Sequence, residues 1–189
     1  MTDARFERTR AAVHEAVCTV LVDEGLGGLT VDRIAAEAGV ARSTVYRNWP
    51  DMAALACEVF DELAHHHEVA LTGDVPTVLR AYLADYAERL NNEVYTAVLL
   101  AVIEAANRDE TFADVHRAMF DQTRSRAGDI VRRGQREGYF DARLDDRQCV
   151  EDMVAPFLYR RLVKQSTISK AQVNELHATL LQRWAVRGG

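Results

Sequence analysis

The chain has 189 residues, enough for one large domain or a small domain beside a medium one. Apolar residues make up 48% of it, and only 3 prolines and 10 glycines interrupt it, which supplies a core and argues against a protein of short strands and turns. A net charge of −6 excludes a surface that binds nucleic acid everywhere, yet leaves room for a local basic element on an acidic body.

Helical spacing from Arg5 to Glu24 places Phe6, Val13, Ala16, Val17, Val20 and Leu21 on one face, and Gly25, Gly27 and Gly28 stop that helix. Thr30 is suited to cap the next one, with Asp32 adding negative charge to its first turn. A short helix is expected over Val31 to Ala38, a turn at Gly39, and a second short helix from Arg42 to about Asn48. Pro50 and Asp51 break the pattern again, and Asp51 caps a longer helix reaching His65 to Ala70.

Thr72-Gly73-Asp74-Val75-Pro76 is a loop. Helices are then expected to about Leu90, from Val94 to Asn107, and from Phe112 to Glu137, where Gly138 closes the last. A loop ending at Asp145 leads into a helix through Val163, kinked at Pro156, and a final helix runs from Ser169 to Ala185. The expectation is an all-α fold of about nine helices. Its three-helix N-terminal domain (1–67) and larger C-terminal domain (68–189) meet inside the fourth helix.

No run of about 18 apolar residues exists, and Met1 to Arg10 is charged, so neither a membrane span nor a signal peptide is expected. Cys18, Cys57 and Cys149 lie within helical patterns without metal-ligand spacing, as suits reduced thiols in a cytosolic protein. No paired carboxylates, nucleophile with base, phosphate loop or cofactor motif is identifiable, so no catalytic residue, cofactor or metal is expected.

The segment from Val31 to Trp49 carries the functional signal. Two short helices pack steeply only if their contacts are small and the turn accepts positive φ, which Ala35 and Gly39 provide. Ile34, Ala38, Val40 and Val45 are expected to point inward. Arg42, Ser43, Thr44, Tyr46, Arg47 and Asn48 then remain on and around a helix of barely two turns. Such a surface suits a major groove: arginine bonds guanine edges, asparagine reads adenine, and hydroxyls reach phosphates or bases. The N-terminus of the preceding helix, at Thr30, offers amides to a phosphate.

Residues Gly28-Leu29-Thr30 through Asn48-Trp49-Pro50 resemble the DNA-binding domain of TetR-family regulators, and the match extends over nearly all of the first 65 residues. In that family the recognition helix ends in tyrosine, two variable positions and an aromatic, as in Tyr46 to Trp49. The resemblance therefore adds Trp49 to the DNA-binding set. The pattern departs at Met52, beside Asp51, where the family usually places a phosphate-binding lysine. Arg136-Glu137-Gly138, Asp145-Asp146 and Ala155 to Leu162 resemble the C-terminal domain of one subgroup. The resemblance implies a cytoplasmic, nucleoid-associated homodimer that represses transcription from a palindromic operator and releases it on binding a small apolar effector.

Several clusters admit two readings. His65, His66 and His67 diverge by roughly 100° each on a helix, which favours a solvated helix end over a metal site. Arg124, Arg126, Arg132, Arg133 and Arg136 interleave with Asp121, Asp129 and Glu137, which favours local ion pairs over a second nucleic-acid surface. The stripe of Leu83, Tyr86, Leu90, Tyr95, Leu99, Val102, Phe112, Met119 and Phe120 is either plain core or the lining of an effector pocket, with Tyr86, Asn92 and Tyr95 as orienting groups. Val150, Met153, Val154, Phe157 and Leu158, with Val173, Leu176, Leu180, Leu181 and Trp184, belong either to the monomer core or, as the resemblance implies, to a four-helix dimer interface. The rival to a regulator is a helical enzyme or carrier that keeps the helix-turn-helix as scaffold.

Overall fold

The computed structural model describes residues 4–49, 51–65, 72–108 and 110–186. Pro50, His66, His67, the boundary near residue 67 and the extension of the fourth helix to Ala70 lie outside the described residues, as do the side chains of His65, Phe112 and Met119. The helices are α1 (Ala4–Glu24), α2 (Val31–Ala38), α3 (Arg42–Asn48), α4 (Met52–His65), α5 (Val75–Asn91), α6 (Glu93–Ala106), α7 (Glu110–Arg136), α8 (Asp146–Leu158) and α9 (Lys170–Trp184). A 3₁₀ turn (Leu26–Gly28) follows α1, a π-turn (Tyr159–Val163) extends α8, and the described residues form no strand beyond an isolated bridge between Phe140 and Ala185. An all-α fold is what helical periodicity without β signals requires. No helix among the described residues is long and apolar enough to cross a membrane.

The chain divides into two compact units, Met1–His66 with Glu93–Met119, and His67–Asn92 with Phe120–Gly189. In the first, α1 packs against α2, α4 and α6, and α4 also packs against α6. Val13, Val17 and Val20 of α1, Ile34 of α2, Val45 of α3, Leu55 and Val59 of α4, and Val98 and Val102 of α6 are buried. Each such side chain contributes about 1.5–3 kcal/mol of transfer free energy. The Phe60 and Tyr95 rings meet at a tilt, 5.2 Å apart, and tie α4 to α6.

In the second unit α5 packs on α8 and α9. Asp74 caps α5 by accepting from the Thr77 amide at 2.8 Å. The Asn91 side chain, at the end of α5, donates to Ile168 O (2.9 Å) and accepts from Ile168 N (2.8 Å), and Arg161 Nε donates to Leu90 O at 2.8 Å. The last of these satisfies a carbonyl that the end of α5 leaves orphaned. Ser169 and Gln172 form a reciprocal capping box that starts α9. The helix expected through Val163 instead becomes α8 followed by the π-turn, in which Lys164 N donates to Tyr159 O at 3.0 Å. Pro156, three residues upstream, has no amide to bond the carbonyl of Asp152.

Phe140 and Trp184 meet edge to face at 5.4 Å, and Asp141 N donates to Trp184 O at 2.9 Å. This contact depends on Gly134 of α7, where a Cβ would stand 2.1 Å from Phe140 Cδ2. Trp184 is fully buried within one chain, so Trp184→Ala is expected to destabilise the protein by about 3–5 kcal/mol in urea denaturation. A loss below about 1 kcal/mol would show that this packing does not organise the second unit.

Candidate nucleic-acid interface

Thr30 has extended backbone, and its hydroxyl accepts from Arg33 N at 3.2 Å, the cap expected for α2. Gly39 ends α2 in the left-handed region at φ 65°, ψ 31°, where any other residue except asparagine or aspartate is strained. Val40 N then donates to Ala35 O at 3.0 Å and turns the chain into α3. Ile34, Ala35 and Val45 are buried as the packing of two short helices demands, whereas Ala38 and Val40, expected inward, are only half-buried. The turn itself holds those two near the rim.

The end of α3 is set by Trp49. Its backbone amide donates to Val45 O at 2.8 Å, and its indole Nε1 donates to Glu58 Oε2 of α4 at 2.8 Å. Trp49, which the resemblance added to the DNA-binding set, is only 3% exposed, and its ring belongs to the core. An aromatic body with one polar handle suits that role, because burial needs a partner for the N–H.

Glu58 also accepts from Arg10 Nε at 2.5 Å. The buried His14 ring lies 6.2 Å from Trp49, with Nδ1 2.6 Å from Glu62 Oε2 and Nε2 3.2 Å from Glu58 Oε1, the latter without hydrogen-bond alignment. Arg10, His14, Glu58 and Glu62 thus clamp α1 to α4 and, through Trp49, to the end of α3. None of the four stood out in the sequence. The available signal was two pairs at i,i+4 spacing, basic on α1 and acidic on α4. Burial pushes the Glu58 carboxyl up, but hydrogen bonds from Trp49 and Arg10 and the charges of His14 and Arg10 outweigh it and leave the pKa lowered.

With Val45 and Trp49 inward, the opposite side of α3 faces out. Tyr46 is 59% exposed, and Arg42, Ser43 and Arg47 are exposed beside it. Thr44 and Asn48 are half-buried, and Asn48 Nδ2 donates to Thr44 O at 2.9 Å, so its amide is partly held by its own helix. Arg42 Nε pairs with Asp32 of α2 at 2.7 Å, whereas Arg47 has no ion-pair partner among the described residues. Two short helices, an exposed seven-residue α3 and hydroxyl, phenol and guanidinium groups together form a surface with the donors and acceptors suited to base edges.

The remaining sites fare differently. Leu83, Tyr86 and Leu90 are buried in the second unit, to which Phe120 also belongs, while Tyr95, Leu99 and Val102 are buried in the first. Asn92 is exposed at the end of α5. Val150, Met153, Phe157, Val173, Leu180 and Trp184 are buried and Leu176 is half-buried inside a single chain, as the core reading of these stripes has it. The expected apolar stripes exist, but they face α5 and each other. On α7, Arg124 pairs with Asp121, Arg132 with Asp129 and Asp146, and Arg133 with Glu137, as interleaved charges predict. Among the described residues no histidine, cysteine and carboxylate cluster could hold a metal. Burial pushes the thiols of Cys18 and Cys149 up to about 11, which leaves them unreactive.

Two outcomes follow. Tyr46→Ala and Arg47→Ala are expected to abolish sequence-specific duplex binding in gel-shift titrations while changing stability by less than about 0.5 kcal/mol, since both side chains project from the fold; unchanged affinity in either variant would remove α3 as the reading element. A carboxyl with a lowered folded-state pKa stabilises the fold above its ordinary value of 4.5, and that contribution is lost as pH falls through the folded value. Glu58→Gln is therefore expected to lower stability at pH 7 and flatten its fall below about pH 4.5. An acid limb identical to the parent's would mean that Glu58 is not held as a carboxylate.

Residues 15–59 match the family described as bacterial regulatory proteins, tetR family, and residues 69–180 match the tetracyclin repressor-like C-terminal domain. The chain is 30% identical over 187 residues to the DNA-binding transcriptional repressor TetR of Mycobacteroides abscessus, covering 92% of each. It is 28% identical over 174 residues to the HTH-type transcriptional regulator YdeS of Bacillus subtilis, covering 91% of this chain and 87% of that one. The crystal structure of the TetR family transcription regulator SCO0332 superposes with a TM-score of 0.71 at 28% identity, over 92% of this chain and 97% of that one. The clamped helix-turn-helix and the helical second unit are thus parts of one known architecture, and the chain belongs to the TetR family of DNA-binding transcription regulators.

Proposed function

We propose that the protein is a cytoplasmic, homodimeric repressor that occupies a palindromic operator and leaves it when a small, largely apolar effector binds. The observation that carries this reading is the exposed Tyr46–Arg47 edge of α3, held outward while Val45 and Trp49 are locked inward. One reading head covers a single half-site, so specific occupancy needs two heads on two major-groove faces about 34–36 Å apart. The similarity to a protein named a DNA-binding transcriptional repressor supports repression over activation.

The dimer surface falls on the outward faces of the last two helices, the inward faces being packed within the chain. Tyr159 and Val163 are 58% and 67% exposed, and Leu158 and Leu162 are half-buried beside them. Apolar side chains of this size, grouped at the end of α8, suit the isologous contact of a twofold dimer. Effector binding is assigned to the second unit, around Leu83, Tyr86 and Leu90 of α5 and Phe120 of α7. There the Asp85–Arg89 pair (3.1 Å), with Arg89 5.3 Å above the Tyr86 ring, provides polarity within an apolar surrounding. An effector that prefers the conformation with the wrong head spacing lowers operator affinity by its differential binding energy.

Footprinting on the DNA flanking the protein's own gene tests this. The expected pattern is two protections related by a twofold axis, about 10 base pairs apart or a multiple of that. An effector found by thermal-shift screening should then bind less tightly by calorimetry when operator is present, by the same factor that it weakens operator binding. A single unpaired protection would contradict the dimer, and equal effector affinity with and without operator would contradict induction.

A further inference from the structure

The helix-turn-helix carries an unusual charge balance for a surface that meets phosphate. From Thr30 to Asp51 the cations are Arg33, Arg42 and Arg47, and the anions are Asp32, Glu37 and Asp51, so the segment is neutral. Arg33 is held between Glu24 (2.6 Å) and Glu37 (2.7 Å). Of the two arginines on α3, Arg42 is paired through Nε with Asp32 Oδ1 at 2.7 Å, across the angle between the first turn of α2 and the start of α3.

We infer that Asp32 is a positioning residue that withholds Arg42 from the phosphate backbone and aims it at a base, making Arg42 a specificity determinant. The geometry supports this in two ways. The closest approach is through Nε, at the stem side of the guanidinium, so the terminal amino groups are the ones left to meet the O6 and N7 acceptors of a guanine in the major groove. Both side chains are exposed, at 67% and 60%, so the pair adds little to stability and its consequence lies in what Arg42 can reach.

Ion exchange gives the thermodynamic sign. When a free arginine neutralises a phosphate, one condensed cation is released, and affinity falls with salt by a slope of about 0.9 per contact. If Arg42 left Asp32 to do so, the bared carboxylate would take up a cation beside the phosphates. The release would be cancelled and like charges would be brought together. Contact with DNA of the wrong sequence is thereby disfavoured, whereas a guanine edge is reached with the Asp32 pair intact.

The test uses the full-length protein with two duplexes, one of mixed sequence and one enriched by the wild-type protein from a randomised pool. Asp32→Asn is expected to bind the mixed-sequence duplex roughly three- to tenfold more tightly at low salt, with a salt slope steeper by about 0.9 per reading head. Its preference for the enriched duplex should fall by roughly 5- to 150-fold, the range for loss of one bidentate base contact. Asp32→Glu, which keeps the charge, should retain wild-type preference. Adding Arg42→Ala to Asp32→Asn should remove the gain on mixed sequence, and Arg42→Ala alone should lose the preference for one guanine without changing the non-specific salt slope. An Asp32→Asn variant with unchanged slope and preference would overturn the assignment. So would one that weakens both duplexes equally while melting earlier, because that is the signature of a lost helix N-terminal charge. Failure of the wild-type protein to enrich any sequence would instead overturn sequence-specific DNA binding itself, and this assignment with it.

Discussion

The bond from the Trp49 indole to Glu58 is the constraint on which the reading head depends. α3 has seven residues, fewer than an isolated helix needs to persist in water, and Ala41 gives it no side-chain cap. Its orientation comes from outside: Val45 is buried beneath it, and Trp49 is drawn inward at its end. Because Glu58 also receives Arg10 and sits beside His14, the same carboxylate ties the recognition helix to α1 and α4 at once. A helix turns successive side chains by roughly 100°, so fixing Val45 and Trp49 inward leaves Tyr46 and Arg47 outward.

The second unit is built on a different principle. α8 and α9 commit their main apolar stripes to α5 and to each other, Arg161 closes the Leu90 carbonyl at the end of α5, and the Asn91 side chain bonds the backbone of Ile168 ahead of α9. What remains outside is a smaller apolar edge around the π-turn, where the ladder after Pro156 relaxes to i→i+5 bonding. The helix pair therefore has two apolar faces of different width, the wider one internal.

This distinction explains what could be read from the sequence and what could not. The helices, the Thr30 cap and the Gly39 turn were legible because each rests on local chemistry: periodicity, a hydroxyl at the N-cap, a glycine at positive φ. The burial of Trp49 is not legible in the sequence, because it is decided by Glu58, nine residues away on another helix. The stripes containing Met153, Phe157, Leu180 and Trp184 were legible as stripes, yet periodicity cannot say whether a partner face belongs to the same chain. The Asp32–Arg42 contact was likewise invisible, since it follows from the angle between two helices.

The Tyr46–Arg47 edge of α3 is expected to enter the groove while the clamped side of the reading head stays out of it. Photocrosslinking measures this directly, with benzoylphenylalanine placed at Tyr46 and, as a control, at Val22, an exposed residue of α1. Crosslinks are expected from position 46 to bases of the operator half-site and none from position 22. Crosslinks of equal yield from both positions, or from position 22 alone, would contradict that placement.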